Sequence, residues 1–359
     1  MKNSGLATVA QLREFDEIID VRSPSEYAED HVPGAISCPV LDDAERVRVG
    51  TLYKQSPFEA KKTGAALVSR NIARHLEQLW LDKPRSWHPL IYCWRGGQRS
   101  GAMTHILRQI GFAAERLEGG YKSYRQHVLQ QLQVLPEKFS FRVLCGLTGS
   151  GKSRLLTALQ QAGAQVLDLE EIARHRGSVL GDLPDNAQPA QKGFDSQLLA
   201  RLKSFDPALP VYVESESKKI GLIRVPDVLI EAMWASPCIR LESATAIRVA
   251  LLREEYVHFL HDPALLRQQL ERLKGMYSNE LLARWSALCE AGAWDEFIAG
   301  LLERHYDPAY NKSIYSHYPG YDQAPRLTLN TLNDNIFDSL AHEALALSDD
   351  FVNNGGTVQ

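Results

Sequence analysis

The chain alternates short apolar runs with longer stretches in which apolar residues recur every three or four positions. Strands that alternate with such helical stretches favour parallel sheets covered by helices, so the pattern predicts an α/β protein. The helical stripes include Met103, Ile106 and Leu107, and then Leu155, Leu156 and Leu159. The apolar runs, which predict buried strands, lie at residues 17–21, 89–92, 139–144, 165–169, 210–213, 238–241 and 327–329.

A break in this pattern divides the chain. A helical stretch ends near residue 135, and Pro136, Glu137 and Lys138 separate it from the strand at 139–144, which places a short linker there. From Pro263 onward the apolar positions follow helical spacing almost throughout. We therefore expect an α/β domain at 1–135, a second at 136–262, and a mainly helical extension at 263–359 that packs on the second domain.

The most specific motif follows the strand at 139–144. Residues 146–153, here called the phosphate loop, fit G-x-x-x-x-G-K-[ST] at every fixed position, between a strand and a helix as that motif requires. Its glycines let backbone amides converge on phosphate oxygens, Lys152 adds a cation, and the Ser153 hydroxyl is placed to hold Mg²⁺. The predicted phosphate-binding residues are Gly146, Thr148, Gly149, Ser150, Gly151, Lys152 and Ser153, with Ser153 as the metal ligand.

A second motif lies between the strand at 89–92 and a helical stripe. Residues 93–100, here called the cysteine loop, read CWRGGQRS. The amides of a tight loop, the start of a helix and two arginines all present positive charge to the sulfur, which is typical of a nucleophilic cysteine. The candidate catalytic residues are Cys93, Arg95 and Arg99. The arginines lie beside the proposed nucleophile, where an anionic substrate must approach.

The residues before the cysteine loop add independent support. Ser23, Pro24 and Glu26 form a capping box with proline at the first helical position, so a helix should begin at Pro24. A turn at 31–35 and a Gly-Gly turn at 119–120 complete a pattern that resembles the rhodanese domain.

A rhodanese-like domain followed at once by a phosphate-loop domain is an unusual pairing, and nearly the whole chain resembles the tRNA 2-selenouridine synthase family. The most specific matches are the two loops and the segments at 168–170, 175–178 and 214–221. The resemblance implies an α/β fold in which a rhodanese-like parallel-sheet domain precedes a P-loop NTPase-like parallel-sheet domain with a helical C-terminal extension.

The resemblance also implies the chemistry. The family is understood to convert wobble 2-thiouridine of tRNA to 2-selenouridine, first by S-geranylation with geranyl diphosphate and then by exchange for selenium from selenophosphate through a Cys93 S-selanyl intermediate. Such an enzyme is a transferase that uses Mg²⁺ and no prosthetic group. Its partner is a tRNA anticodon stem–loop that carries 2-thiouridine, and a selenophosphate-producing enzyme is a second candidate partner.

Five further residues are candidates for which an alternative stays open. Asp168 and Glu214 end strands at the sheet edge where ligands bind, and Glu216 would share a face with Glu214. Asp168 is also placed to cap the next helix. Arg176 lies in a loop that could cover the phosphate site, and Arg248 lies on a helix from which it could reach phosphate or face solvent. The supporting residues are Asp168, Arg176, Glu214, Glu216 and Arg248.

Composition limits the functional class. Five widely spaced cysteines without a C-x-x-C pair argue against a disulfide framework or a zinc site. Charged residues near the start and the lack of a long apolar stretch argue against a signal peptide or a membrane partner, so a cytoplasmic protein is expected. The formal charge of −4 argues against wholesale nucleic-acid binding, so any RNA contact must be local.

Two segments are candidates for that contact, each with a structural alternative. Residues 305–310 could touch tRNA, although a structural corner is favoured. The insertion between the two rhodanese signatures is basic and carries Tyr53 and Phe58, but a solvated helical face explains it equally well. Its cations are Arg46, Arg48, Lys54, Lys61, Lys62, Arg70 and Arg74.

Two other functions remain open. A persulfide sulfurtransferase coupled to an ATP-using P-loop kinase or ligase would use the same two loops. A non-catalytic protein whose phosphate loop senses nucleotide would use only one of them.

Overall fold

The computed structural model describes residues 5–184 and 186–354. It divides into two compact units, the first comprising Met1–Leu132 with Pro189–Ala200 and the second comprising Gln133–Gln188 with Arg201–Gln359. Each unit contains a parallel sheet with helices, which confirms the predicted α/β class. Among the described residues, no helix combines the length and apolar character needed to cross a bilayer.

The first unit has a five-stranded parallel sheet within its described part, in the order β1-β5-β4-β2-β3. The predicted strand at 89–92 is the central strand, and all four of its residues are buried, as expected where helices cover both faces of a sheet. The strands are β1 Leu6–Ala7, β2 Glu17–Asp20, β3 Ala35–Ser37, β4 Pro89–Tyr92 and β5 Glu115–Leu117.

Helices of the first unit surround this sheet. The predicted capping box is present: the Ser23 amide donates to Glu26 Oε2 at 3.1 Å, and the helix begins at Pro24 as expected. A π-helical turn, Leu76–Trp80, continues the third helix and buries Trp80 against Trp87 in the core. The helices are α1 Pro24–Glu29, α2 Asp43–Gln55, α3 Pro57–His75, α4 Gln98–Ile110 and α5 Gly120–Leu132, with a 3₁₀ turn at Val9–Glu14.

The described part of the second unit has a five-stranded parallel sheet in the order β12-β11-β6-β8-β7 and a small antiparallel pair, β9 with β10. The central strand β6 is buried along its whole length and leads into the phosphate loop. The strands are β6 Phe141–Cys145, β7 Gln165–Leu167, β8 Val211–Glu214, β9 Lys219–Ile220, β10 Ile223–Arg224, β11 Cys238–Ser243 and β12 Arg326–Leu329.

Helices account for most of the rest of the second unit. Short 3₁₀ or π segments lie at Pro136–Lys138, Glu271–Leu273, Leu302–Tyr306 and Tyr321–Gln323. The helices after α5 are α6 Lys152–Gln161, α7 Leu169–Ala173, α8 Gln191–Ser204, α9 Asp227–Trp234, α10 Thr245–Glu255, α11 Val257–His261, α12 Pro263–Leu270, α13 Asn279–Glu290, α14 Trp294–Leu301, α15 Asp307–His317 and α16 Ile336–Asn354.

The compact units differ from the predicted domain division in one internal segment. Residues Pro189–Ala200, expected in the second domain, belong to the first unit. Buried polar contacts explain this, because Ser196 Oγ donates to Asp30 Oδ2 at 3.0 Å and Asp195 forms an ion pair with Arg125. Such contacts depend on pairs far apart in sequence, which the local pattern does not show.

The C-terminal region contributes to the second sheet as well as packing on it. The expected strand at 327–329 is present as β12, which pairs in parallel with β11, and Leu327 and Leu329 are fully buried. Helix α16 supplies Leu340 and Ala344 to the same core cluster as Leu156 of α6. The last part of the region after residue 262, β12 and α16, is therefore part of the α/β layer structure of the second unit, whereas α12, α13 and α14 contribute to a separate apolar cluster.

Candidate functional site

The cysteine loop connects the carboxyl end of β4 to the start of α4. Cys93 is only 4% exposed, and its Sγ lies 3.2 Å from Ser100 Oγ at the other end of the loop. Cys93 is one of the residues that line a cavity of about 650 Å³. That cavity is lined by Glu26, Arg46, Cys93, Trp94, Arg95, Gly97, Gln98 and Arg99.

The two loop arginines have different roles in this geometry. Arg99 forms a bidentate pair with Glu26, with Nη1–Oε2 at 2.6 Å and Nη2–Oε1 at 3.2 Å. Burial by itself raises the pKa of Glu26, but the hydrogen bonds and charge of Arg99 outweigh burial and lower that pKa. Arg95 is exposed at the cavity and forms no ion pair among the described residues. Arg95 is therefore the cation left available to an incoming anion, whereas Arg99 fixes the loop to α1.

The Gly-Gly turn at 119–120 packs against the backbone of the cysteine loop. The amides of Tyr121 and Lys122 donate to the carbonyls of Cys93 and Trp94 at 2.9 and 3.0 Å. Gly120 has a φ of +61°, and a Cβ at that position would lie 2.3 Å from Cys93 O and 2.5 Å from Gly96 N. Both atoms are backbone, so neither can move without displacing the cysteine loop.

We expect Gly120→Ala to destabilise the first unit by at least about 3 kcal/mol, because a methyl group there overlaps backbone. Gly34→Ala is the matched control: Gly34 also has a positive φ, +78°, but no atom lies within 4 Å of the added carbon. The control should therefore lose only the conformational penalty, about 1 kcal/mol. Urea unfolding of both variants measures the difference, and equal losses would contradict the proposed support of the loop.

The phosphate loop has the expected geometry between β6 and α6. Gly149 and Gly151 adopt φ values of +76° and +91°, which L residues rarely take. Lys152 Nζ donates to Gly146 O at 2.8 Å and lies 5.3 Å from the centroid of the Tyr310 ring. The Tyr310 hydroxyl in turn accepts the Gly146 amide at 2.8 Å. Tyr310, from the segment at 305–310, is thus part of the loop's immediate surroundings.

This loop opens onto a cavity of about 660 Å³. The residues that line the cavity come from segments between Thr148 and Tyr318. Its lining includes Thr148, Lys152, Ser153, Asp168, Glu170, Arg176, Glu214, Glu216, Trp234, Glu255, Tyr256, Tyr306 and Tyr310.

Three carboxylates converge beside Lys152. Each of Glu170, Glu214 and Glu216 offers an oxygen, and these oxygens lie within 4.8 Å of one another. Glu214 is 2% exposed, and its Oε1 accepts no hydrogen bond from any residue that the structure describes. Three negative charges this close together repel one another, so the carboxylates are stable only if they bind protons or a cation.

The pKa values of the three carboxylates also indicate a site that takes up protons or a cation. Burial raises the pKa of Glu214 to about 7, against the opposing charge of Lys152. Burial and the charge of Glu214 raise the pKa of Glu216 to about 8. Burial and the same neighbour raise the pKa of Glu170 well above its usual value. A set of carboxylate oxygens next to a serine hydroxyl fits a hard divalent cation such as Mg²⁺.

Comparison with known proteins agrees with the presence and the order of both domains. A model described as the tRNA 2-selenouridine synthase AAA domain matches residues 139–288, and a rhodanese-like domain model matches residues 6–127. A protein of Sulfurovum sp. named tRNA 2-selenouridine synthase is 37% identical over 331 residues, which span 83% of this chain and 88% of that protein. The chain belongs to the tRNA 2-selenouridine synthase family.

Other relatives carry the same name. The Shewanella halifaxensis protein is 32% identical over 83% of this chain and 88% of its own length. The Nitrosomonas europaea protein is 37% identical over 67% of this chain, and the alignment spans 63% of that protein. The two domains expected from the resemblance, and their order, are therefore confirmed for this member of the tRNA 2-selenouridine synthase family.

The structure brings most of the supporting residues of this synthase-family chain to the phosphate cavity. Glu214 and Glu216 join the acidic cluster. Arg176 lines the cavity, donates to Glu255 O at 2.6 Å and lies 4.7 Å from the Tyr256 ring centroid. Asp168 also lines it, but its carboxylate accepts the Glu171 amide at 2.8 Å as the N-cap of α7, which was the alternative left open.

Arg248 contacts the phosphate loop in a different way from that expected. It is 2% exposed and lies outside the cavity lining. Its Nε donates to Thr148 O at 2.9 Å, and its two terminal nitrogens pair with Asp307 at 2.6 and 3.0 Å. Its guanidinium therefore holds the backbone of the loop, and each of its three nitrogens already donates to a protein acceptor.

Several residues at the phosphate loop and its cavity were not predicted from the sequence. Glu170 was within a matched segment but was not selected, although its position two residues after a strand-ending Asp168 was a usable signal. Tyr310 and Asp307 lie in the segment at 305–310, for which a structural corner was favoured. Glu255, whose pKa burial raises, gave no local signal because its helix approaches the cavity only in the folded unit.

Proposed function

We propose that this protein is a tRNA-modifying transferase that converts wobble 2-thiouridine to 2-selenouridine in two steps. Family membership supports the reaction. The observation that carries it is that one chain contains both a phosphate loop beside an acidic cluster and a cysteine in a cavity bordered by an available arginine. The first set of groups suits a diphosphate leaving group, and the second suits transfer of a chalcogen atom.

The first step is S-geranylation at the phosphate loop. The sulfur of 2-thiouridine attacks C1 of geranyl diphosphate, the C1–O bond breaks, and its electron pair leaves with the diphosphate. Loop amides and Lys152 are positioned to receive that charge, so they stabilise the transition state more than the bound substrate. No nucleotide is consumed.

An apolar cavity adjoining the phosphate cavity supports an isoprenoid donor. The two cavities share Thr148, Ser178, Leu252, Tyr256 and Tyr306 in their walls. The smaller one has a volume of about 60 Å³, so it must widen to take a ten-carbon chain. Its apolar side chains beyond the shared wall include Leu180, Phe259, Leu266, Trp294, Phe297 and Leu301.

We propose that Mg²⁺ is bound in the phosphate cavity by the carboxylates of Glu214 and Glu216 with the hydroxyl of Ser153. When bound, this ion neutralises part of the diphosphate charge. The unsatisfied Glu214 oxygen and the convergence of the acidic cluster support this assignment. Lys152 is the positive group that the phosphate loop itself supplies.

Mg²⁺ should stabilise the fold strongly at high pH and little at low pH. The raised pKa values, about 7 and about 8, favour the protonated, folded form, so metal-free protein should lose stability as the pH rises from about 4.5 to 8. Ionised carboxylates then bind the cation. Thermal unfolding with and without Mg²⁺ should show a gain of about 5 °C at pH 8.5, at a hundredfold excess over Kd. At pH 6 the gain should be negligible.

The matched control is the double variant Glu214→Gln with Glu216→Gln. It removes the two ionisable groups while keeping their size, so both the pH-dependent loss of stability and the gain with Mg²⁺ should shrink. A gain with Mg²⁺ that persists in this variant would mean that the cation binds elsewhere.

The second step is selenium transfer at Cys93. Selenium is at the selenide level in both selenophosphate and 2-selenouridine, so the net exchange is redox-neutral: water takes the phosphoryl group as phosphate, and geranyl thiol leaves C2 of the base. A sulfur–selenium bond on Cys93 is two electrons more oxidised than a thiol plus selenide. The relay therefore balances only with a thiol–disulfide partner.

In the proposed cycle, Cys93 begins as a mixed disulfide with a small thiol. Selenium of selenophosphate attacks the Cys93 sulfur and the small thiolate leaves, after which water attacks phosphorus and releases phosphate. The resulting Cys93–S–Se⁻ attacks C2 of the geranylated base and expels geranyl thiolate. The small thiolate then attacks the Cys93 sulfur, which releases 2-selenouridine and restores the mixed disulfide.

Omitting nucleotide tests this function against the sulfurtransferase alternative. With geranyl diphosphate, selenophosphate, Mg²⁺ and a small thiol together with its disulfide, 2-selenouridine should form in a 2-thiouridine RNA without ATP. A strict requirement for ATP, with ATP consumed in proportion to product, would overturn the proposal in favour of a kinase or ligase coupled to persulfide transfer.

A further inference from the structure

Helices α2 and α3 form a basic hairpin, defined here as residues 43–75. Val49 of α2 faces Gly64 of α3, where an added Cβ would lie 3.4 Å from Val49 Cγ1, and Asn71 Nδ2 donates to Glu45 Oε2 at 2.8 Å. The hairpin contains seven Lys or Arg residues and three Asp or Glu residues, a formal charge of +4. The whole chain carries −4, so positive charge is concentrated in this segment.

Burial of apolar surface does not explain helix α2. None of its 13 residues is buried. It is fixed by polar contacts at its first turn, where Asp42 Oδ1 accepts the Glu45 amide at 2.7 Å and Asp43 Oδ1 accepts the Ser25 hydroxyl at 2.6 Å. A helix that buries none of its residues adds little to the core, and its exposed face is open to another molecule.

The cations of the hairpin are exposed, and most are unpaired. Within the described residues, Arg48, Lys54, Lys61 and Arg70 form no ion pair, whereas Lys62 pairs with Glu59. Large apolar side chains lie among them: Tyr53 is 54% exposed, and Val47 and Phe58 are each 68% exposed. Free cations interleaved with exposed aromatic rings are the combination that RNA-binding surfaces use for phosphates and bases.

The hairpin also reaches the cavity of the cysteine loop. Arg46, on the first turn of α2, lines that cavity together with Cys93 and lies 3.9 Å from Glu26. A polyanion bound along the exposed face of the hairpin would thus have one end at the mouth of the Cys93 cavity. The same element provides charge along its length and a contact at the site.

We propose that the basic hairpin binds the sugar–phosphate backbone of the RNA substrate and leads the modified nucleotide to the Cys93 cavity. This inference rests on the proposed function for the identity of the polyanion as a tRNA anticodon stem–loop. The charge, exposure and location of the hairpin identify where on the first unit the RNA docks.

The test is RNA binding by a charge-neutralised hairpin. The triple variant Arg48→Gln, Lys54→Gln and Lys61→Gln removes three exposed cations without breaking any described ion pair, so the protein should fold normally. The matched control, Arg13→Gln, Arg85→Gln and Lys138→Gln, makes the same change in net charge at three exposed sites outside the hairpin. Fluorescence anisotropy with a labelled 2-thiouridine anticodon stem–loop is measured between 50 and 300 mM salt.

The hairpin variant should bind at least about tenfold more weakly at physiological salt, and the slope of log Kd against log salt should fall by about 2 to 3. The control should match the wild type. At saturating RNA the hairpin variant should form product at the normal rate, because the chemical groups are intact. Equal affinity of the hairpin variant and the wild type, or an equal loss in the control, overturns the assignment.

Product formation by the wild type is scored in the same samples. If the wild type modifies the RNA normally but the hairpin variant binds RNA as tightly as the wild type, the proposed function stands and only the docking surface is overturned. RNA that is bound through the hairpin but never modified would support the docking surface and overturn the proposed function.

Discussion

Lys152→Ala is expected to lower the rate of S-geranylation by about 100- to 1,000-fold, the usual cost of removing one group that stabilises developing negative charge. Lys152 is a cation of the phosphate cavity set beside the loop amides, and its Nζ lies at the loop carbonyl of Gly146. The loss should fall mainly on kcat, because diphosphate charge grows as the C1–O bond breaks. Single-turnover assays that measure S-geranyl-2-thiouridine test this.

Two controls make the Lys152 result specific. Lys138→Ala removes an exposed lysine from a short 3₁₀ turn outside the cavity and should leave the rate unchanged. RNA that already carries S-geranyl-2-thiouridine should bypass the defect, so Lys152→Ala protein should still convert it to 2-selenouridine. Geranylation at the normal rate in Lys152→Ala would contradict the role given to the phosphate loop.

Cys93→Ala is expected to abolish selenium transfer while leaving geranylation intact, so S-geranyl-2-thiouridine should accumulate. The reason is that Cys93 supplies the sulfur that carries selenium and no other group of its cavity is a thiol. The loss should exceed about 1,000-fold, because a covalent route is removed altogether. Mass analysis of nucleosides after complete digestion measures both compounds in one sample.

Cys38→Ala is the matched control for Cys93. Cys38 lies in the same buried cluster of the first unit, and burial raises the pKa of its thiol to about 12, so it is not a nucleophile at neutral pH. Its replacement should cost some stability but no selenium transfer. Formation of 2-selenouridine by the Cys93→Ala protein would rule out Cys93 as the carrier.

Local sequence was enough to predict the two loops and the elements that hold them. The phosphate loop and the capping box at Ser23 are defined by residues within one or two turns of each other, and both appear where expected. The strand at 327–329 was also predicted, but its place beside β11 could not be, since that pairing joins segments about 85 residues apart.

The rest of the candidate site depends on distant pairs. Glu170 meets Glu214 because β7 and β8 are neighbours in the sheet, and a single sequence does not show strand order. Arg248 was correctly singled out, yet its acceptors are Thr148 and Asp307, separated from it by 100 and 59 residues. Two roles were open for Asp168 from its position at the end of a strand, ligand binding and capping of the next helix. Only the structure shows that its carboxylate accepts the Glu171 amide.

The central claim is that one chain performs both half-reactions on RNA. The most direct measurement is mass spectrometry of nucleosides from a 2-thiouridine anticodon stem–loop incubated with the purified chain, Mg²⁺, geranyl diphosphate, selenophosphate and a small thiol together with its disulfide, which forms the mixed disulfide on Cys93. The account predicts S-geranyl-2-thiouridine first and 2-selenouridine after it, with only the first compound when selenophosphate is omitted. Unchanged 2-thiouridine in the presence of folded protein would contradict it.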